Sequence, residues 1–367
     1  MTLADGPVPP VDQNGRAHFR LPLSSLPKRS PTMRYRLFSL LAALVVLSSA
    51  TASAGEVVDM SGRQVSLTDR PARVFAAMST TTTLVLSVAP ERLIGTYLGS
   101  NSKADRFLPA GALGKPLMEV AGVQTIDIEK VAQAKPDVAI SLAVPGIGDR
   151  FRGDMARIGV PVFEVKAERL EDYPAAFRSL STLLGEAERA EAWAALLERR
   201  LAELKAARDA IPAAARRRVY YAESPNGMTT QCANAARAEV LALGGAINTV
   251  PCSGPTGMAF TTTIDPEMLL LLDPDIIVAR FPQARTAFMT DTRFQKLRAV
   301  REGRIFVIPD LPFNWFDRPP SHFRLLGAIW LMDCLYPDRT KPDLAATTRE
   351  FMRLFLARDL SADELAN

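Results

Sequence analysis

From Gly55 onward, short β-branched apolar runs alternate with stretches of helical period. The runs Val74–Ala77, Leu93–Thr96, Val138–Ser141 and Val162–Val165 form one series, and Val219–Ala222, Ile276–Ala279 and Ile305–Ile308 form a second. Short apolar runs separated by helical patterns predict parallel α/β units. Between the two series, Pro174 to Leu184 reads as a helix that stops at Gly185. The next stretch, Glu186 to about Ala210, carries Trp193, Leu197, Leu201 and Leu204 at spacings of four, four and three. Those residues share one face, Glu, Arg and Lys fill the rest, and Pro212 ends the pattern. The spacing predicts a single stiff helix bridging two lobes.

The pattern also repeats internally. Thr125-Ile126-Asp127-Ile128-Glu129 precedes Pro136-Asp137 and an apolar run, and Thr263-Ile264-Asp265-Pro266-Glu267 precedes Pro274-Asp275 and another. Both copies read T-I-D-x-E, six residues, then P-D, at a constant offset of 138 residues. Locally the grammar is that of one αβ unit: Thr or Asp caps a helix, Glu sits in its first turn where the dipole favours an acid, and Pro-Asp turns the chain into a buried strand. Any αβ unit can use this grammar, but six identities at fixed spacing argue for two similar α/β lobes.

The N-terminus changes how charge is read. Arg34 and Arg36 precede the uncharged apolar run Leu37 to Leu47, which is followed by Ala52-Ser53-Ala54. A basic head, a short apolar core and an A-x-A ending are the parts of a secretory signal peptide. The core is shorter than the ~20 apolar residues a spanning helix needs. Cleavage is expected after Ala54, with Met33 as an alternative start and a disordered cytoplasmic extension as the competing reading. The first 54 residues hold six of the 44 basic and two of the 40 acidic side chains, so the remainder is balanced at 38 of each. No basic stripe for nucleic acid is left. The expected cleavage site has no cysteine to lipidate, which favours a free protein over an anchored one. In an oxidising compartment Cys232 and Cys252 are candidates for a disulfide, worth roughly 3 kcal/mol for a loop of that length. Cys334 lies in an apolar helical stretch and reads as a buried thiol.

With these features in order, the chain resembles the helix-linked (class III) periplasmic binding proteins of ABC importers, the iron–siderophore, haem and cobalamin type. The resemblance runs from Val58-Asp59-Met60-Ser61-Gly62-Arg63-Gln64-Val65 and Pro71-Ala72-Arg73-Val74, through both T-I-D-x-E…P-D units and Gly244-Gly245-Ala246-Ile247-Asn248. It ends with Ala299-Val300-Arg301-Glu302-Gly303-Arg304-Ile305 and Leu335-Tyr336-Pro337-Asp338. It implies an α/β fold of two lobes, each a mostly parallel sheet flanked by helices, joined by one long α-helix, with the ligand cleft between the lobes. The expected boundaries are a leader at 1–54, an N-terminal lobe at 55–170, the linking helix at 171–211 and a C-terminal lobe at 212–367. It also implies a periplasmic, non-enzymatic monomer that delivers its ligand to a permease dimer. The importers of this family grip one exposed glutamate on each lobe, and the matching positions are Glu129 and Glu267. The bland reading is that each only favours its own helix N-terminus, by 0.3–1 kcal/mol.

Cleft residues of the family lie in loops at the C-terminal ends of strands, as open parallel sheets require. On the N-terminal lobe this marks Met78 to Thr82, including Thr80 and Thr81, then Tyr97 with Gly99, and Leu142 to Gly146. The threonines could donate to an anionic chelate or an oxyanion, or simply cap the next helix. Where the family often has a Thr-Glu pair, this chain has threonines, so an acidic ligand contact is not expected there. On the C-terminal lobe the candidates are Tyr221 to Met228, Phe260 with Thr261, Arg280-Phe281, and Phe313-Asn314-Trp315-Phe316-Asp317-Arg318. Phe313, Trp315 and Phe316 offer apolar faces or pack in the core, and Arg318 offers a fork of donors for carboxylate-like groups. Asn314 and Arg318 match cleft-facing polar positions of cobalamin-type members. Ser321 is a candidate cap for the following helix.

Beyond residue 54 the only histidine is His322, expected on a helix surface. Without clustered His and carboxylate ligands, no directly bound metal and no cofactor are expected. The ligand should be a metal chelate (an iron–siderophore, haem or cobalamin-like molecule), with an oxyanion such as molybdate or tungstate, or a nickel chelate, as the alternative. A secreted hydrolase is the competing class. There is no G-x-S-x-G, H-E-x-x-H or P-loop, and a triad would have to use His322. A sensor module that never meets an importer is the third reading.

Overall fold

The computed structural model describes residues 55–67, 69–96, 102–120, 123–144, 147–252 and 261–365. The N-terminal lobe is built on β1 (Val74–Ala76), α1 (Ser79–Val88), α2 (Ile128–Ala134), β2 (Val138–Leu142), α3 (Ile147–Arg157) and β3 (Val162–Val165). Its strands lie in the order β1-β2-β3, all parallel, with Val74 opposite Val138 and Ile140 opposite Phe163. Every residue of β2 and β3 is buried, so these apolar runs do not alternate because helices cover both faces. The run Leu93–Thr96 joins only through single bridges, Leu93 to Val74 and Thr96 to Leu117. An antiparallel hairpin, Gly55–Val58 with Gln64–Leu67, precedes the sheet.

Two helices connect the lobes. α4 (Tyr173–Leu184) and α5 (Ala187–Asp209) pack as a hairpin around Gly185, whose φ of 76° is the left-handed value glycine tolerates. At 1.5 Å per residue α5 spans about 35 Å. Its buried stripe includes Trp193, Leu197, Leu201 and Leu204, and Arg178 on α4 bridges to Glu191 and Glu198 on α5 at 2.7 and 2.6 Å. The long helix is therefore one arm of a helical hairpin.

The C-terminal lobe contains β4 (Arg218–Ala222), β5 (Ile247–Asn248), α6 (Pro266–Leu272), β6 (Ile276–Ala279), α7 (Pro282–Thr290), β7 (Ile305–Val307), α8 (Arg324–Leu335) and α9 (Leu344–Leu356). Its sheet runs β5-β4-β6-β7, again parallel, with Ala279 opposite Ala222. A short ladder, Thr229–Gln231 with Thr261–Thr263, lies beside it, and Cys232 is disulfide-bonded to Cys252. Cys334 is half-buried, and burial pushes its thiol up to about 12.

The internal repeat is a repeated brace. Asp127 caps α2 by accepting from Lys130 N at 3.1 Å, and Asp265 caps α6 by accepting from Met268 N at 2.7 Å, so Asp rather than Thr is the cap. Each helix ends on a left-handed residue, Lys135 or Asp273. The Pro-Asp carboxylates then hold the neighbouring strand: Asp137 accepts from Ala72 N and Arg73 N, and Asp275 from Arg218 N. Arg73 returns its guanidinium to the carbonyls of Ala134 and Lys135, and Arg218 returns to those of Leu272 and Asp273. Each unit ties helix end to strand start with the same four groups.

The lobes do not have separate interiors. One apolar cluster runs through Val74, Ile140, Val165, Phe177, Trp193, Val219, Val278, Leu326 and Phe351, and a smaller cluster lies on the outer side of each sheet. At the junction Arg324, 1% exposed, pairs with Glu239 at 2.6 Å and donates to the carbonyls of Glu168 and Ser321 at 3.0 and 3.1 Å. Glu239 also accepts from Leu170 N at 2.9 Å. Sequence reasoning placed His322 on a helix surface, but the ring is wholly buried. Its Nε2 lies 3.1 Å from Ser87 Oγ, and Trp193, Phe177 and Phe351 surround it at 4.8, 5.3 and 5.2 Å. Burial, aided by the Arg324 charge, pushes it down to about 3, so it is a neutral packing group. The N-cap of α8 is Phe323, and the Ser321 hydroxyl, expected as the cap, is buried without a hydrogen-bond partner. Among the described residues no helix is long and apolar enough to cross a membrane.

Candidate functional site

The ends of the central C-lobe strands are where polar side chains converge. Because Ala222 and Ala279 are in register, the next residues, Glu223 and Arg280, leave the sheet side by side, with Arg280 N bonded to Ala222 O at 2.9 Å. The chain after β7 passes through a loop bounded by cis peptides at Leu311-Pro312 and Arg318-Pro319. Asn314 Oδ1 accepts from Phe316 N and Asp317 N, which folds the loop back and carries Asp317 and Arg318 toward Glu223.

The result is a buried polar chain. Gln231 Nε2 donates to one oxygen of Glu223 at 2.5 Å, and Arg318 Nη2 donates to the other. Arg318 Nη1 lies 3.4 Å from Asp317 Oδ2, outside hydrogen-bonding geometry, while Tyr221 OH donates to Asp317 Oδ1 at 2.7 Å. Glu223 is 3% exposed and Asp317 is 0%. Burial, then the Glu223 charge, pushes the Asp317 carboxyl up to about 7. Burial and the same two carboxylates raise Tyr221 well above the usual phenol value. Three buried atoms beside this chain, Gln231 Oε1, Asn314 Nδ2 and Asp317 Oδ2, have no hydrogen-bond partner. Arg280 is half-exposed, and its guanidinium lies 4.6 Å over the Phe281 ring.

Other candidates sit differently. Phe316 is a core ring, 1% exposed, between Tyr221 and Trp330; it is held inside because it lies on the sheet side of the loop. Phe313 is likewise buried, against Phe323 and Phe355. Trp315 turns outward: its Nε1 donates to Leu311 O, and its indole lines a cavity of about 670 Å³ with Arg339, Lys341, Leu344 and Arg349. Thr81 and Thr82 close their hydroxyls on the Met78 carbonyl, and Thr81 also accepts from Met78 N. The Thr81 hydroxyl forms part of the capping box of α1, the Thr82 hydroxyl bonds back one turn, and buried Thr80 sits in the same turn. Leu142, the last residue of β2, is buried, and Met228 packs partly buried against the outer C-lobe cluster. Tyr97 and Phe260 lie outside the described residues.

Glu129 and Glu267 are exposed and occupy matching positions, two residues past the capping Asp127 and Asp265. Glu223 and Asp317 were visible in the sequence only inside longer stretches, and Gln231 was missed. The usable signal for Glu223 was its place immediately past a predicted strand, where Arg280 also stands. Among the described residues no group of three or more His, Cys, Asp or Glu side chains is placed to hold a metal ion.

A sequence profile of the family described as "Periplasmic binding protein" matches residues 98–311. Among solved structures, the chain is similar to an ABC transporter solute binding protein from Sulfurospirillum deleyianum. That match has 29% identity and a TM-score of 0.78, and covers 85% of this chain and 98% of the other. A molybdate periplasmic binding protein of Haemophilus influenzae, solved with molybdate, shares the fold at 17% identity and TM-score 0.66, covering 84% and 99%. A periplasmic vitamin B12 binding protein of Vibrio cholerae does so at 18% and 0.58, covering 72% and 97%. Among curated proteins no sequence matches the chain. With two parallel α/β lobes, a helical connection and a family match over more than half its length, the chain belongs to the periplasmic binding proteins, in the helix-linked class that serves ABC transporters.

Proposed function

We propose that this chain is the substrate-binding component of an ABC importer, carrying a metal chelate of the iron–siderophore, haem or cobalamin-like kind to the permease. The observation that carries the reading is the convergence of Glu223, Gln231, Arg280, Asn314, Asp317 and Arg318 at the C-terminal strand ends of one lobe. Open parallel sheets bind ligands at that edge. Across from it, the N-lobe wall would come from the strand-end turns at Met78 to Thr81 and after Leu142, with Arg280 adding to the C-lobe wall. No catalytic step is assigned. The secreted protein is a periplasmic monomer, cut after Ala54 and needing no cofactor of its own.

Exposed Glu129 and Glu267, on equivalently braced helices, meet the permease dimer. Charge reversal of both should abolish stimulation of importer ATPase while leaving ligand affinity unchanged; undiminished stimulation would refute the docking role. The ligand is tested by absorbance and native mass spectrometry of periplasmically expressed protein. A thermal-shift panel of ferric siderophores, haem, cobalamin, nickel–histidine, molybdate and tungstate follows. A shift with one chelate supports the reading. A shift only with molybdate or tungstate moves it to the oxyanion alternative, which half-exposed Arg280 favours. No shift with any probe refutes both.

A further inference from the structure

Two arginines stand at the C-lobe strand ends, and their surroundings differ. Arg318, also half-exposed, is tied on its inner side: Nη2 holds buried Glu223, and Nη1 lies 3.4 Å from both the carbonyl and the carboxylate of Asp317. Among the described residues no second cation lies within ion-pair distance of Glu223, and its other oxygen accepts from Gln231. A ligand that drew Arg318 away would leave a carboxylate 3% exposed without its counter-charge, an outcome strongly opposed in a low-dielectric setting. Arg280 has no ion pair of that kind, although its charge is felt by the buried Asp317 carboxyl. Among the described residues no carboxylate lies within ion-pair distance of it, although Glu223 leaves the adjacent strand beside it. Its guanidinium is steadied on the Phe281 ring, at the end of an interior strand. Phe281 is also the N-cap of α7, whose first turn holds no acid, so no side chain there competes for the charge.

Resting on the binding-protein reading above, we infer that Arg280 is the cation that takes an anionic group of the ligand, and that Glu223–Arg318 is an internal pair that shapes the wall. The ligand class this selects is anionic: an oxyanion, or a chelate with outward carboxylate or phenolate oxygens. Arg318, which sequence alone made the stronger candidate, is a positioning residue.

The test is isothermal titration of the full mature protein with tungstate, ferric citrate and neutral cyanocobalamin, for wild type and for Arg280→Gln, Arg280→Lys and Arg318→Gln. For the anion that binds wild type, Arg280→Gln should weaken affinity on the order of 30-fold, with the melting temperature unchanged. Arg280→Lys should recover much of the loss, and the wild-type affinity should fall with salt while the Arg280→Gln affinity does not. Arg318→Gln should lower the melting temperature and change affinity by less than about threefold. Loss of anion binding in Arg318→Gln with Arg280→Gln unaffected overturns the inference. Binding of cyanocobalamin alone also overturns it and leaves the binding-protein reading standing. No binding of any probe overturns both.

Discussion

Replacing Arg324 with Met removes the cation at the centre of the lobe junction and leaves its partners in place. Arg324 is buried and touches Glu239 at 2.6 Å and the carbonyls of Glu168 and Ser321 at 3.0 and 3.1 Å. Without it, Glu239, 9% exposed, keeps Leu170 N and a distant Arg169 at 3.9 Å. Removing one partner of a buried pair costs about 3–5 kcal/mol, a large part of a total of roughly 5–15 kcal/mol. The melting temperature should fall by on the order of 10 °C. Burial already holds the Glu239 carboxyl above its ordinary value, and Arg324 is the main influence pulling it down; deleting Arg324 lets it rise further. A carboxyl whose folded-state pKa exceeds its unfolded value contributes fully below the unfolded pKa, and that contribution is lost as pH rises through the folded one. The variant should therefore be less destabilised at pH 5 than at pH 8, and Arg324→Met with Glu239→Leu should recover more than half the loss. Urea unfolding of wild type and both variants at the two pH values reads this directly. A single-variant loss below about 1 kcal/mol, or an equal loss at both pH values, would refute the reasoning.

Asp317→Asn keeps an acceptor for Tyr221 and removes a carboxyl held at about 7. Stability lost by wild type as pH rises from 5 to 8 should shrink in this variant, as thermal melts across that range would show. Reducing the Cys232–Cys252 bond should cost roughly 3 kcal/mol, measured by denaturant unfolding with and without reductant. Asp275→Ala removes contacts to Arg218 N and to Arg298, whereas Asp137→Ala removes only backbone contacts. Each should lose about 1–3 kcal/mol in urea melts, with Asp275 at the upper end.

Strand positions were legible because parallel strands covered on both faces are mostly apolar along their length: Val138–Ser141 was read and Val138–Leu142 is found. The capping acids and Pro-Asp turns were legible because their partners lie within a few residues. What stayed hidden depended on distance along the chain. Arg318 meets Glu223 across 95 residues, and Ser87 meets His322 across 235. A lone histidine carries no mark of the aromatic cage that Trp193, Phe177 and Phe351 build around it. In the 313–318 loop no period tells Phe316, turned inward, from Trp315, turned outward. The threonine run was ambiguous for a different reason: capping and ligand contact ask for the same hydroxyl.

The unbroken apolar cluster through both lobes has a kinetic consequence. Lobes that share an interior resist swinging shut over a guest, since closure would have to shear that packing. Retention then rests mainly on wall contacts. At an association rate of about 10⁷ M⁻¹s⁻¹, a site of about 10 nM affinity would release its cargo in roughly ten seconds. A delivery partner therefore has to be met within that interval, and the number of such partners, more than the grip of the carrier, would limit the flow.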